Sequence, residues 1–133
     1  MGAREGRLLE WATVVALGAI GLIAVLSLLL AGVAHGHAFL EHAEPRVGST
    51  VGSPPSSLSL TFTEGIEPAF SKVELTDAGG KRIETGALEH PESNVLTVSL
   101  PGLAPGSYTV SWSVVSVDTH ATDGHFTFTV KGS

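Results

Sequence analysis

The sequence predicts an all-β fold: a seven-stranded Greek-key sandwich of immunoglobulin-like type, preceded by an apolar helical segment. Three observations carry this. After residue 37, apolar and polar residues alternate with period two in several short runs, the mark of half-buried antiparallel strands. Turn-forming clusters separate the runs at regular spacing: Gly52-Ser-Pro-Pro55, Asp77-Ala-Gly-Gly80, Pro101-Gly-Leu-Ala-Pro-Gly106 and Asp123-Gly124. No stretch beyond residue 37 shows helical periodicity long enough to compete.

The chain reads as a leader joined to a domain. Residues 1–10 carry Arg4, Arg7, Glu5 and Glu10 and are nearly neutral, and Trp11 to Ala34 is uncharged and dense in Leu, Val, Ile, Ala and Gly. Such a run is long enough to span a bilayer as a helix. Small residues follow at once, Ala34-His35-Gly36 before His37 or Gly32-Val33-Ala34 before His35, as at a signal-peptide cleavage site. The leader, 1–36, is therefore read as a cleaved export signal, with an uncleaved membrane anchor as the other reading. Both put the domain, 37–133, outside the cytoplasm.

The predicted strands follow in order. His37–Glu44 supplies the first. Leu58, Leu60 and Phe62, alternating with Ser and Thr, mark the second at 57–63. Two shorter ones lie at 70–76 and 81–85. Leu96, Val98 and Leu100 define 95–100; Tyr108, Val110, Trp112 and Val114 define 108–116; Phe126, Phe128 and Val130 define 125–130.

Composition narrows the chemistry. The chain of 133 residues has no cysteine and no methionine beyond Met1, which excludes disulfides, thiolate metal sites and thioether ligands for Cu(I). A formal charge of −6 with seven Lys and Arg opposes a nucleic-acid partner. All of that charge lies in the domain, where five Lys and Arg face eleven Asp and Glu. The histidines are left as the main candidate ligands.

Strand parity collects several of them. In an antiparallel sandwich the start of the first strand shares an end with the loops after the second, fourth and sixth. That end gathers His37, Glu64, Glu67, His90, Asp118 and His120. Asp118-Thr119-His120 is an i, i+2 pair, which in extended backbone projects both side chains to one side. A histidine at a cut N-terminus adds an α-amine and a ring nitrogen, and such a nitrogen and oxygen set suits Cu(II), with Ni(II) and Zn(II) also eligible. Each feature has a plainer reading: Asp118 as the cap of a solvated turn, His37 as a loose terminus, Glu64 as a polar strand end, His90 as loop. His42 and His125 fall at outward-facing strand positions. Cleavage after Ala34 would instead create His35-Gly36-His37, a local copper or nickel site that leaves Asp118 and His120 idle.

Several stretches resemble CopC-type copper-resistance proteins: His37-Ala-Phe-Leu-Glu-His-Ala-Glu-Pro-Arg-Val-Gly48, Leu60-Thr-Phe-Thr-Glu64, Glu67-Pro-Ala-Phe70, Leu103-Ala-Pro-Gly-Ser-Tyr-Thr-Val110, Trp112-Ser-Val-Val-Ser-Val-Asp-Thr-His120 and Gly124-His-Phe-Thr-Phe128. The resemblance spans essentially all of 37–133. It implies a periplasmic, non-enzymatic Cu(II) carrier working in copper resistance or homeostasis. Its copper would be held by the amine and ring of His37 with Asp118 and His120, with Glu64 behind them; the place of His90 at the same end leaves an auxiliary role open to it. It also implies cleavage before His37 and an inner-membrane partner of the CopD copper-transport type. Two departures stand out: no methionine-rich Cu(I) loop can form, and Ala121 follows the motif histidine where many members have Pro. A metal-free adhesion or assembly module and a copper oxidase are the rival functions. The first would be indifferent to His37→Ala; the second needs a substrate groove that so small a domain hardly provides.

Overall fold

A computed structural model of the chain describes residues 2–29 and 37–132, and the side chains of 6–22 and 37–132. Residues up to His35 and residues from Gly36 form two separate compact units. In the first, the apolar run forms one helix, α1 (Gly2–Leu29), whose side chains from Gly6 to Leu22 are exposed. Among the described residues no helix is both long and apolar enough to cross a membrane. The candidate cleavage positions around Ala34-His35-Gly36 lie outside the described residues.

The second unit is built of β1 (Leu40–Glu44), β2 (Thr50–Val51), β3 (Ser57–Phe62), β4 (Lys72–Asp77), β5 (Arg82–Ile83), β6 (Glu89–Glu92), β7 (Val95–Ser99), β8 (Gly106–Val115) and β9 (Ala121–Val130). One sheet has the order β1-β3-β7-β6 and the other β2-β9-β8-β4-β5. All seven expected strands occur, so the all-β two-sheet architecture stands. Two short edge strands were not expected. Thr50–Val51 is too brief to show alternation, and it runs parallel to the end of β9. Glu89–Glu92 carries Pro91 and two carboxylates, residues that favour a sheet edge. His90 therefore sits on a strand, not in the loop anticipated for it. Expected boundaries also moved: Pro68–Phe70 forms a 3-10 turn, so β4 starts at Lys72, and β9 begins at Ala121 instead of 125.

The alternating apolar residues meet between the sheets. Leu58, Leu60, Phe62, Leu96 and Val98 from one sheet pack with Val110, Trp112, Val114, Phe126 and Phe128 from the other. The Phe62 and Trp112 rings meet edge to face across the core, centroids 5.2 Å apart. Trp112 lies so close to its neighbour strand that only glycine fits opposite: a Cβ on Gly124 would stand 2.6 Å from Cζ2 of the indole. At the start of β8, the Tyr108 hydroxyl donates to the Ala104 carbonyl at 2.6 Å, a corner lock familiar in immunoglobulin-like sandwiches. The core thus lies wholly within 38–130.

Candidate metal centre

β8 and β9 form a long, regular hairpin paired from Gly106↔Val130 to Val115↔Ala121. The residues between them, 116–120, form a tight loop that faces the start of β1. Ser116 holds this loop. It continues the inward register of Val110, Trp112 and Val114 and is fully buried. Its amide donates to the His120 carbonyl at 2.9 Å, its carbonyl accepts from the Thr119 amide at 2.8 Å, and its hydroxyl accepts from the His120 amide at 3.2 Å. The same hydroxyl donates to Oδ1 of Asp118. Thr119 turns the chain with φ +72°, a left-handed conformation uncommon for a β-branched residue.

Asp118 and His120 do converge, with Oδ2 of the carboxylate 3.1 Å from Nδ1 of the ring. The reason differs from the one the sequence suggested. The pair is not on an extended strand; the Ser116–Thr119 turn and the left-handed Thr119 fold the two side chains together. Asp118 is nearly buried while His120 is half exposed. The Ser116 hydroxyl, with the ring and amide of His120 adding to it, holds the Asp118 carboxyl below the usual aspartate range, against the opposing effect of burial. The group is therefore an anion at neutral pH. Its Oδ2 is buried and has no aligned hydrogen-bond donor among the described residues, although the His120 nitrogen is close by.

His37 reaches the same place through two threonines. Thr122, two residues after His120, donates from Oγ1 to the Ala38 carbonyl at 2.6 Å. Thr63 accepts the Phe39 amide on its Oγ1 at 3.0 Å, and its own amide donates to the Phe39 carbonyl at 2.9 Å. These bonds fix residues 38 and 39 and bring the His37 ring edge to face with that of His120, centroids 4.5 Å apart. Phe39 flanks His37 on another side at 6.1 Å.

The parity argument thus brings His37, Asp118 and His120 to one end, with His120 in contact with both others. Among the described residues, no three His, Asp or Glu side chains form a ready-made metal cage. Glu64 is exposed on the bend after β3, next to Thr63, and makes no hydrogen bond or ion pair among the described residues. His90 is engaged locally, its Nε2 3.0 Å from the Ser93 carbonyl. His42 faces outward beside Glu44 at 3.1 Å. Ser116, Thr122 and Thr63 were missed by sequence reasoning. Ser116 had a signal: it is a hydroxyl at an inward position of an otherwise apolar alternation. The donor set at this end, two imidazoles and a buried anionic oxygen lacking a donor, fits a borderline divalent ion such as Cu(II).

Residues 40–131 match the CopC domain. Protein YobA of Escherichia coli (strain K12) is 40% identical over 98 residues, covering 71% of this chain and 79% of YobA. Copper resistance protein C of Escherichia coli is 32% identical over 124 residues, covering 79% of this chain and 95% of that protein. The crystal structure of CopC from Methylosinus trichosporium OB3b superposes with a TM-score of 0.66 at 35% identity, covering 71% of this chain and 94% of that one.

Proposed function

This chain belongs to the CopC family, and we propose that it is an exported copper-handling protein whose domain carries one Cu(II) in the periplasm without catalysing a reaction. The ion is cargo, taken up and passed on. The observation that carries the reading is the meeting of His37 and His120, ring centroids 4.5 Å apart, beside the buried Oδ2 of Asp118, which lies 3.1 Å from the His120 ring without an aligned hydrogen bond among the described residues. In this reading the leader is cut between Gly36 and His37. The cut turns the amide of His37 into an amine that can lend its lone pair to a metal, and the imidazoles of His37 and His120 complete the nitrogen set. Asp118 supplies an oxygen. Its contact with His120 is not aligned along an N–H bond, so the carboxylate is not committed to orienting that ring.

The other residues have supporting parts. Ser116 lowers the pKa of the Asp118 carboxyl and fixes the loop, and Thr122 and Thr63 hold the first residues of the domain against it. Glu64 stands behind this end as an exposed carboxylate that favours cations near the site. His90, bonded to Ser93, is an auxiliary ligand only after release from that carbonyl. Copper would leave towards a membrane transporter of CopD type.

Intact mass of the exported protein, followed by copper titration, tests this. The expected result is a mature mass beginning at His37, one equivalent of Cu(II), and loss of that equivalent in His120→Ala. An uncut leader sinks the amine-based site. A mass beginning at His35, with copper retained in His120→Ala, would move the site to the local His35-Gly36-His37 chelate.

A further inference from the structure

Among the described residues, four large apolar side chains of the domain are exposed: Phe39, Val47, Phe70 and Val117. Val47 lies at the far end of the sandwich. The other three, 58%, 71% and 57% exposed in the order Phe39, Phe70, Val117, stand at the end that carries His37 and His120. Their backbones adjoin. Thr63 pairs with Phe39, the Val117 amide donates to the Gly65 carbonyl at 3.0 Å, and the Glu67 amide donates to the Val115 carbonyl at 2.8 Å. Val117 also leans over Gly65, its Cγ1 3.3 Å from where a Cβ would stand. Phe70 closes the short turn that starts at Glu67, its amide donating to the Glu67 carbonyl at 3.2 Å. Exposed aromatic and aliphatic groups gathered at one place mark interaction surfaces.

Charge is distributed unevenly along the same axis. Glu64, Glu67 and Asp118 lie among these apolar residues. Among the described residues of the domain, the Lys at this end is Lys72, paired with Glu74 at 2.8 Å. The remaining Lys and Arg of the domain gather toward the opposite end: Arg46 after β1, Lys81 and Arg82 at the β4–β5 turn, and Lys131 after β9.

We propose that this end is the docking face for a protein that exchanges copper with the domain, and that the partner presents Lys or Arg side chains around an apolar patch. The proposal rests on the copper reading above. Charge complementarity selects this occupant. A second copy would set acid against acid, and so would a membrane rich in anionic lipid. Three side chains make a face smaller than a stable interface requires, which suits the brief encounter of a handover. Acidic groups at the rim speed such an encounter and make it salt-sensitive.

The test uses the leader-free domain, whose core is self-contained, with an amphipathic Lys/Leu peptide as probe and a Glu/Leu peptide of the same pattern as control. Amide NMR shifts are expected at Phe39, Glu64 to Phe70 and Val117 with the Lys/Leu peptide, and none with the Glu/Leu peptide. Binding should weaken as salt rises from about 0.1 M to about 1 M, where the screening length falls from about 10 Å to about 3 Å. Phe70→Ser should weaken it roughly tenfold, the scale of one buried aromatic, while keeping one equivalent of Cu(II), because Phe70 is not one of the candidate ligands. Scattered shifts, equal binding of the Glu/Leu peptide, or no effect of Phe70→Ser would overturn the docking face. So would self-association or binding to anionic vesicles through these residues. Copper uptake without any peptide response sinks docking alone; a wild-type domain that takes up no copper sinks both readings.

Discussion

Ser116 shows how much one buried hydroxyl can organise. Among the described residues it is the polar side chain buried in the core, and it ties together both ends of the loop that presents Asp118 and His120. Ser116→Ala should cost about 1–3 kcal/mol, the scale of a deleted buried hydrogen-bonding group, measured by urea denaturation of the leader-free domain. It also removes the main influence that keeps the Asp118 carboxyl acidic. The sign of that influence can be followed with pH. A carboxyl whose folded pKa lies below its unfolded value adds stability that is present above the ordinary aspartate range, about 3.9, and lost as pH falls through the depressed folded value. The stability gap between wild type and Asp118→Asn should therefore be constant from neutrality down to about pH 4 and narrow below it. Glu74, whose carboxyl Lys72 and Arg82 also hold down, contributes equally to both proteins and drops out of the comparison. A gap that widened in acid would contradict the assignment.

At the scale of elements, legibility followed how many residues each element devotes to the core. β3, β7, β8 and β9 each bury two or more alternating side chains, and all four were visible as period two. β2 has two residues and β6 is a polar edge with Pro91, so neither leaves a pattern. The convergence of His37 with Asp118 and His120 was legible because chain reversal alone dictates it. The means of convergence was not: a left-handed Thr119 and hydrogen bonds from Ser116, Thr122 and Thr63 leave no periodic trace. The β8–β9 pair also hides a steric constraint. Gly124 looks like a turn residue beside Asp123, yet it sits within β9 directly opposite Trp112. Gly124→Ala would force its methyl into the indole, which Phe62 holds from the core side, at a cost of about 1–3 kcal/mol. A lowered denaturation midpoint with altered fluorescence of Trp112, the tryptophan of the leader-free domain, would report it. An unchanged midpoint would mean the ring can retreat.

For the whole molecule, the division at residue 36 matters more than any single contact. The domain carries its own core and the net negative charge, and α1 belongs to a separate unit. While the two remain joined, the nitrogen of His37 is an amide and has no basic lone pair to offer. Once cut, it is an amine with an ordinary pKa of about 7.7–8.0, able to bind a metal when its proton leaves. Copper should then stabilise the cut chain by mass action. An excess of about a hundredfold over the dissociation constant adds about 2.7 kcal/mol, which for a domain of this size raises the melting temperature by roughly 10–20 °C. The shift should shrink as pH falls below the amine's range, because protons compete for the same lone pair. The same domain acetylated on His37 should lose most of the shift, since its imidazoles and Asp118 remain but the amine is blocked. Equal shifts in the cut and acetylated proteins would remove the amine from the site and leave the side chains of His37, Asp118 and His120 to hold the ion without it.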